Sequence, residues 1–259
     1  MLNRFVLPAL AATFVVGSAV CTVSVRADDA PVTLKYVNKV GESLRQKVVI
    51  KASVQGIDAV MTNTQKRVTK EVKDSGEVTY LVSDEGGTLL LMGNEQHQDP
   101  QPDITIKHDK LGKVIDWKPA QDINGALSPE LLKTLSQIYS PVLPADAVKP
   151  KDAWKIELDN PIYKDKKVKI ESTYLGIEKV DTVELWKVKI SAVIPTDGEN
   201  GVATYEGTFW LIPATGQVAK AEGAAKDIPS QFGKLAFTVA ITPAKDEKPA
   251  AAADQKAPK

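Results

Sequence analysis

The 259-residue sequence predicts a mainly β domain: an antiparallel sheet with one helix packed on one face. Three observations carry the prediction. Apolar and polar residues alternate with period two over long stretches, as they do when one face of a sheet meets a core and the other meets water. Glycines stand where hairpin turns need a positive φ. A single well-capped helical stretch separates two strand-rich halves.

In the first half, residues 44–55 and 58–73 read as two long strands around a turn at Gly56. Residues 78–82 and 88–92 flank Asp84-Glu85-Gly86-Gly87, which suits a hairpin loop. In the second half, Val168, Ile170, Ser172 and Tyr174 alternate with Lys167, Lys169, Glu171 and Thr173. Trp186, Val188, Ile190, Ala192 and Ile194 share the next face, opposite Lys187, Lys189 and Ser191. Tyr205, Gly207, Phe209 and Leu211 then alternate with Thr204, Glu206 and Thr208.

Two stretches resemble each other. Ile104 to Val114 and Phe209 to Val218 each place a glycine, Gly112 and Gly216, two residues before a valine at a hairpin turn. Glycine there permits the left-handed backbone of a bulged turn. Each half thus reads as two long strands and then a bulged hairpin, which is compatible with a pseudo-repeated sheet, although one pair of similar hairpins does not by itself establish a repeat. Between the halves, residues 129–139 form the helix. Ser128 caps it, Pro129 suits its first turn, Glu130 sits at the positive end of its dipole, and Pro141 stops it. Leu131, Leu132, Leu135, Ile138 and Tyr139 make one apolar stripe, which places the helix against the sheet rather than in a partner.

The two ends read differently from the middle. Arg4, an apolar run from Phe5 and the small-x-small site Val25-Arg26-Ala27 describe a cleavable secretory signal over residues 1–27. Pro8, Gly17 and the small-residue exit favour cleavage over a retained anchor. Cys21 follows Val20, not the small residue of a lipidation signal. The mature domain, residues 28–242, is then expected to be exported, to the periplasm or beyond, with no transmembrane segment. It has no cysteine and must be held by its core alone. Loss of Arg4 and Arg26 leaves 31 basic against 33 acidic residues, so no strong positive field attracts nucleic acid. Residues 243–259 hold only Pro, Ala, Lys, Asp, Glu and Gln and read as a disordered tail.

Catalytic signatures are missing from the sequence. It has no glycine-rich phosphate loop, no Gly-x-Ser-x-Gly elbow, no Ser-x-x-Lys and no His-Glu-x-x-His. His97 falls in a polar loop, residues 94–99, and His108 abuts Asp109 at a turn. Both read as surface histidines rather than zinc ligands. Residues 197–201 lack the alternating oxygen ligands of a calcium loop and read as a hairpin tip. Trp210 stands among Thr204, Glu206 and Thr208, so it marks either a binding surface or a face covered by the helix. Neither a cofactor nor an enzymatic activity is expected.

The stretch from Tyr139 to Trp154, YSPVLPADAVKPKDAW, resembles a group of uncharacterised exported bacterial proteins. These have a helix, a Leu-Pro link and a Lys-Pro-Gly-Asp-x-Trp-like entry into the second half of the sheet. Lys151 stands where they carry glycine. Tyr174-Leu-Gly-Ile-Glu-Lys-Val and the x-Thr-Gly-x-Val hairpin at 215–218 also resemble them, and the likeness spans roughly residues 32–242. The arrangement is similar to the lipoprotein-localisation-factor fold. That resemblance implies a curved, half-barrel-like sheet whose concave side carries helices and, in that fold, holds acyl chains.

The expected function is therefore a non-catalytic exported binding protein with a lipid or other apolar ligand between sheet and helix. The rival is a structural or interaction component of the cell envelope, with a protein partner and no ligand cavity. Trp186, Ile190, Tyr205, Phe209 and Leu211 share the inward phase on two strands and are the candidate ligand-lining residues. If export proceeds as expected, the intact mass of the exported protein will correspond to a chain beginning at Asp28. A mass retaining Cys21 with an added acyl group would refute that expectation.

Overall fold

The computed structural model describes residues 30–54, 57–122, 127–160, 163–196, 201–230 and 233–244. The expected signal segment, the turn at Gly56, residues 197–200 and the tail beyond 244 lie outside the described residues. Among the described residues twelve strands and one helix follow in the order β1 (Ser43–Val54), β2 (Ile57–Val72), β3 (Val78–Leu91), β4 (Asn94–Gln98), β5 (Ile104–His108), β6 (Val114–Pro119), α1 (Pro129–Ile138), β7 (Ala153–Asp159), β8 (Lys167–Val180), β9 (Val183–Pro195), β10 (Val202–Leu211), β11 (Val218–Ser230) and β12 (Gly233–Pro243). Pro243, the first residue of the Pro/Ala/Lys segment, ends β12 opposite Gln46, and the Ala244 N–H donates to the Arg45 carbonyl. No helix among the described residues is long and apolar enough to cross a membrane.

All strands belong to one antiparallel sheet in the order β6-β5-β3-β2-β1-β12-β11-β10-β9-β8-β7, with β4 paired to β3 alone. Two meanders meet where the first and last strands pair, Val48 opposite Ile241 and Ile50 opposite Val239. The predicted alternation holds in the second half. Val168, Ile170, Ser172 and Tyr174 of β8 are buried, while Lys167, Lys169 and Glu171 are exposed.

Curvature follows from the contacts at the two edges. Eleven strands in a row would span about 48 Å if flat, at roughly 4.8 Å per strand. Yet both edge strands bind one short stretch of chain. On β6 the Val114 N–H donates to Gln137 Oε1 at 2.6 Å. On β7 the Trp154 indole donates to the Val142 carbonyl at 2.8 Å. The sheet is curved and unclosed, and α1 with the link after it lies in its concavity.

The helix begins as predicted, with Ser128 Oγ accepting from the Leu131 N–H at 3.3 Å. It is buried more completely than one apolar stripe implies. Leu131, Leu135 and Ile138 join the core, and Thr134 and Gln137 on the neighbouring side are buried as well. Gln137 is satisfied there, because its amide also donates to the Gly112 and Ser140 carbonyls. The curled sheet reaches round to the side of the helix that its sequence left polar.

Two local expectations change. The Asp84–Gly87 stretch is not a hairpin loop, for β3 runs straight through it with a register shift against β2. Asp84 Oδ1 accepts from the Gly86 N–H at 2.6 Å, Gly86 has φ +83°, and a Cβ on Gly87 would overlap the Thr62 carbonyl. The residues that suit a turn also suit a bulge. The reversal comes at Met92 and Gly93, with φ of 51° and 82°, both positive as a two-residue hairpin turn of the primed type requires. Residues 94–98, expected as polar loop, form the returning strand β4.

The bulged hairpins at Gly112 and Gly216 are present, with φ of 92° and 70°. They occupy different places, β5–β6 at an edge and β10–β11 inside the sheet. Both tips dock on one segment: Gly112 faces the Tyr36 ring and Gly216 the Lys35 carbonyl, each too close for a Cβ. The Tyr36 hydroxyl donates to the Pro141 carbonyl at 2.6 Å, Val32 pairs with Val148, and Leu34 is buried in the core.

Lys151, which stands at the glycine position of the resembling sequences, has φ +78°. Its N–H is held by the Tyr174 carbonyl at 2.7 Å, so the left-handed backbone is fixed by β8. A left-handed lysine costs roughly 1–2 kcal/mol, part of which glycine returns as unfolded-chain entropy. Lys151→Gly is therefore expected to stabilise the fold by about 0.5–1 kcal/mol, raising the melting temperature by about 1–4 °C. A lowered melting temperature would show that the turn is not strained.

Candidate functional site

The five residues expected to line a cleft lie on one face of β9 and β10, side by side in register. Leu211 is opposite Trp186, and Tyr205, opposite Ala192, stands one rung from Ile190. Their exposures run from 0% to 8%, and all belong to the core with Leu131, Leu135 and Ile138 of α1. Tyr205 meets Tyr139 edge to face, ring centroids 5.7 Å apart, and lies over Gly207 and Gly223, where a Cβ would strike its ring. Here the concave face is covered by the helix. Trp210 fits neither expected reading: it points away from this core and is buried beneath Lys187 and Lys220, whose ammonium groups lie 5.4 and 4.5 Å from its ring centroid.

The same concave face continues onto β1, β2 and β3, where coverage is thinner. Register places Ile50, Met61 and Leu89 on one rung and Ala52, Ala59 and Leu91 on the next. All six are half-buried, and the two rungs extend a row that begins at the buried Val239 and Phe237 of β12. Moving along β2 from Met61, the inward residues become Asn63, Gln65, Arg67 and Thr69. The apolar end of the lane thus passes into a hydrogen-bonding end.

At that polar end Arg67 lies over the Tyr80 ring, with its guanidinium carbon 4.8 Å from the centroid. Tyr80 donates to Asn38 Oδ1 at 2.8 Å and meets His108 edge to face at 5.1 Å. Trp117 is on the same face, in register with Ile106 and Tyr80. Asn63 Oδ1, Arg67 Nη2, His108 Nε2 and Trp117 Nε1 are all buried without a hydrogen-bond partner. Among the described residues no three metal-ligating side chains converge, and the arrangement holds no nucleophile paired with a base.

His108 was expected at the surface and is instead 5% exposed, packed between Tyr80 and Val114. Asp109 takes the turn, accepting from the Leu111 and Lys113 N–H groups, while the histidine points inward. The polar end was hidden in the sequence because both phases of β2 are mostly polar there, and the one apolar residue, Val68, falls in the outer phase with Thr64, Lys66 and Lys70, against Asn63, Gln65, Arg67 and Thr69. No alternation tells which phase faces the core. The one available signal was an arginine and a histidine among the aromatic residues Tyr80 and Trp117.

Burial, and then the Arg67 charge, push the His108 pKa down from 6.5 to about 3. Between those values the unfolded chain binds a proton that the folded chain refuses. The contribution of neutral His108 is therefore complete above pH 6.5 and is lost as pH falls towards 3. Equilibrium denaturation across that window should show stability falling with pH, and His108→Phe should flatten the fall. An unchanged slope in the variant would place the imidazole in water.

No protein-family model matches the chain, and neither does any curated protein. Among solved structures it is similar to a DUF1329-family protein from Desulfovibrio piger, at 10% identity over 78% of this chain and 84% of that one, with a TM-score of 0.24. A likeness of that degree assigns no activity.

Proposed function

We propose that the chain is an exported, non-catalytic binding protein that holds a lipid or other apolar ligand against the concave face of its sheet. The observation that carries this reading is the half-buried lane formed by Ile50, Met61 and Leu89 with Ala52, Ala59 and Leu91. Six apolar side chains on adjoining rungs, contiguous with a closed core yet not fully covered, are a feature that apolar ligand seats share. The curved sheet with a helix in its concavity is also similar to the lipoprotein-localisation-factor fold, whose concavity holds acyl chains. Export rests on the signal-like residues 1–27.

The ligand seat in this reading is the open lane. Trp186, Ile190, Tyr205, Phe209 and Leu211 would join it only if α1 moved aside, because they are packed beneath the helix. That packing is also what favours the rival reading, a structural or interaction component of the envelope with a solid core.

A neutral fluorescent probe, N-phenyl-1-naphthylamine, separates the two. The native protein should bind it, and Met61→Glu should raise its dissociation constant about tenfold with little change in stability. Phe209→Ala should cost roughly 3–5 kcal/mol of stability and leave probe affinity nearly unchanged. Loss of probe binding in Phe209→Ala but not in Met61→Glu would place the seat under α1. Absence of probe binding by the native parent would reject the carrier reading in favour of the structural one.

A further inference from the structure

Inward from the apolar lane, β2 carries a cation that the fold does not neutralise. Among the described residues Arg67 forms no ion pair, and its Nη2 is buried with no acceptor. The stacked Tyr80 ring attracts the guanidinium through its face, which leaves the N–H edge unsatisfied. Two acidic groups in this region are otherwise engaged. Asp84, one rung away, accepts from Asn63 Nδ2 at 2.6 Å and from the Gly86 N–H. Glu42, whose charge reaches Tyr80, faces the Lys39 N–H at 3.4 Å.

Three more unpartnered atoms share this face, Trp117 Nε1, His108 Nε2 and, four residues from Arg67 towards the apolar lane, Asn63 Oδ1. Arginine and the indole only donate, and a neutral imidazole donates from one nitrogen. What Arg67 and Trp117 lack is an acceptor, and beside a guanidinium the favoured acceptor is an anion. Buried polar groups left without partners are uncommon in folded proteins and call for a missing ligand atom or water. Met61 and Arg67 are six residues apart on the same face of β2, about 20 Å at the rise of a strand. The lane thus has an apolar end and a cationic, donor-rich end separated by the extended length of a long acyl chain.

We infer that the ligand is a single-chain anionic amphiphile, its tail on the Ile50–Met61–Leu89 rung and its carboxylate or phosphate headgroup at Arg67, with Trp117 and His108 as supporting donors. The inference rests on the carrier reading above. Arg67 in this role selects the headgroup, while the apolar rung supplies the affinity common to all such chains.

Displacement of N-phenyl-1-naphthylamine by laurate, dodecyl phosphate and dodecanol, compared at equal chain length, tests it. The wild-type protein should bind both anions about tenfold more tightly than the neutral alcohol, and the difference should shrink as salt is raised. Preference for only one of the two anions identifies the headgroup. Arg67→Met should abolish the preference without altering dodecanol affinity, and Arg67→Lys should keep part of it. Equal binding of all three by the wild type overturns the inference and leaves the carrier reading standing. So does an Arg67→Met protein, folded by its melting curve, that keeps the anion preference. No binding of any of the three overturns both. Should Arg67→Met not fold, the wild-type comparison and its salt dependence decide the matter alone.

Discussion

The fold depends on one short stretch of chain held by both edges of the sheet. From Gln137 to Val142, the end of α1 and the link that follows accept hydrogen bonds from β6 through Val114 and from β7 through Trp154. The two edge strands can share that strap only if the sheet curls around the helix. Curling in turn creates a concave face, and the strap fills one side of it. The Leu-Pro link and Trp154, prominent in the sequence, thus have a mechanical role: the half-buried indole donates its N–H to the link itself. The second clamp lies beneath, where Tyr36 ties Pro141 to the Gly112 and Gly216 hairpins.

That geometry divides the concavity into unequal halves. Over β8 to β12 the helix completes a core in which Tyr205 and Phe209 have no exposure. At β6 the helix offers Gln137, bonded to Val114, instead of a leucine, and over β1 to β3 the sheet is less covered. Apolar residues there remain half-buried, and several polar atoms remain without partners. A protein optimised for stability alone would replace Arg67 and His108 with apolar residues, since burying unsatisfied polar groups costs roughly 1–3 kcal/mol each. Their presence is what the proposed headgroup selection by this half rests on. The depressed pKa of His108 keeps the imidazole neutral, so Arg67 supplies the charge at that end.

Most of the architecture was legible in the sequence. Period-two alternation from Lys167 onwards identified the strands and their inward faces, because one side of that half is buried and the other solvated. Ser128, Pro129 and Pro141 bounded the helix through capping and proline chemistry that acts locally. Gly112 and Gly216 marked their turns because only glycine takes a left-handed backbone at no cost while letting another chain segment approach. The misread elements were those where local chemistry is ambiguous. Asp84-Glu85-Gly86-Gly87 serves a bulge as well as a turn, and the choice was made by the long strand β2 alongside it.

The sequence by itself determined β1, β2, the helix and the inward phase of β8 to β10, since burial of one face writes a period that can be read without coordinates. Only the tertiary structure decided that Trp186, Ile190, Tyr205, Phe209 and Leu211 are sealed under α1, and that Arg67, His108 and Trp117 face inward together. Covering and convergence are properties of elements distant in sequence. Alternation gives the direction in which a side chain points; what it meets there depends on the curvature of the whole sheet.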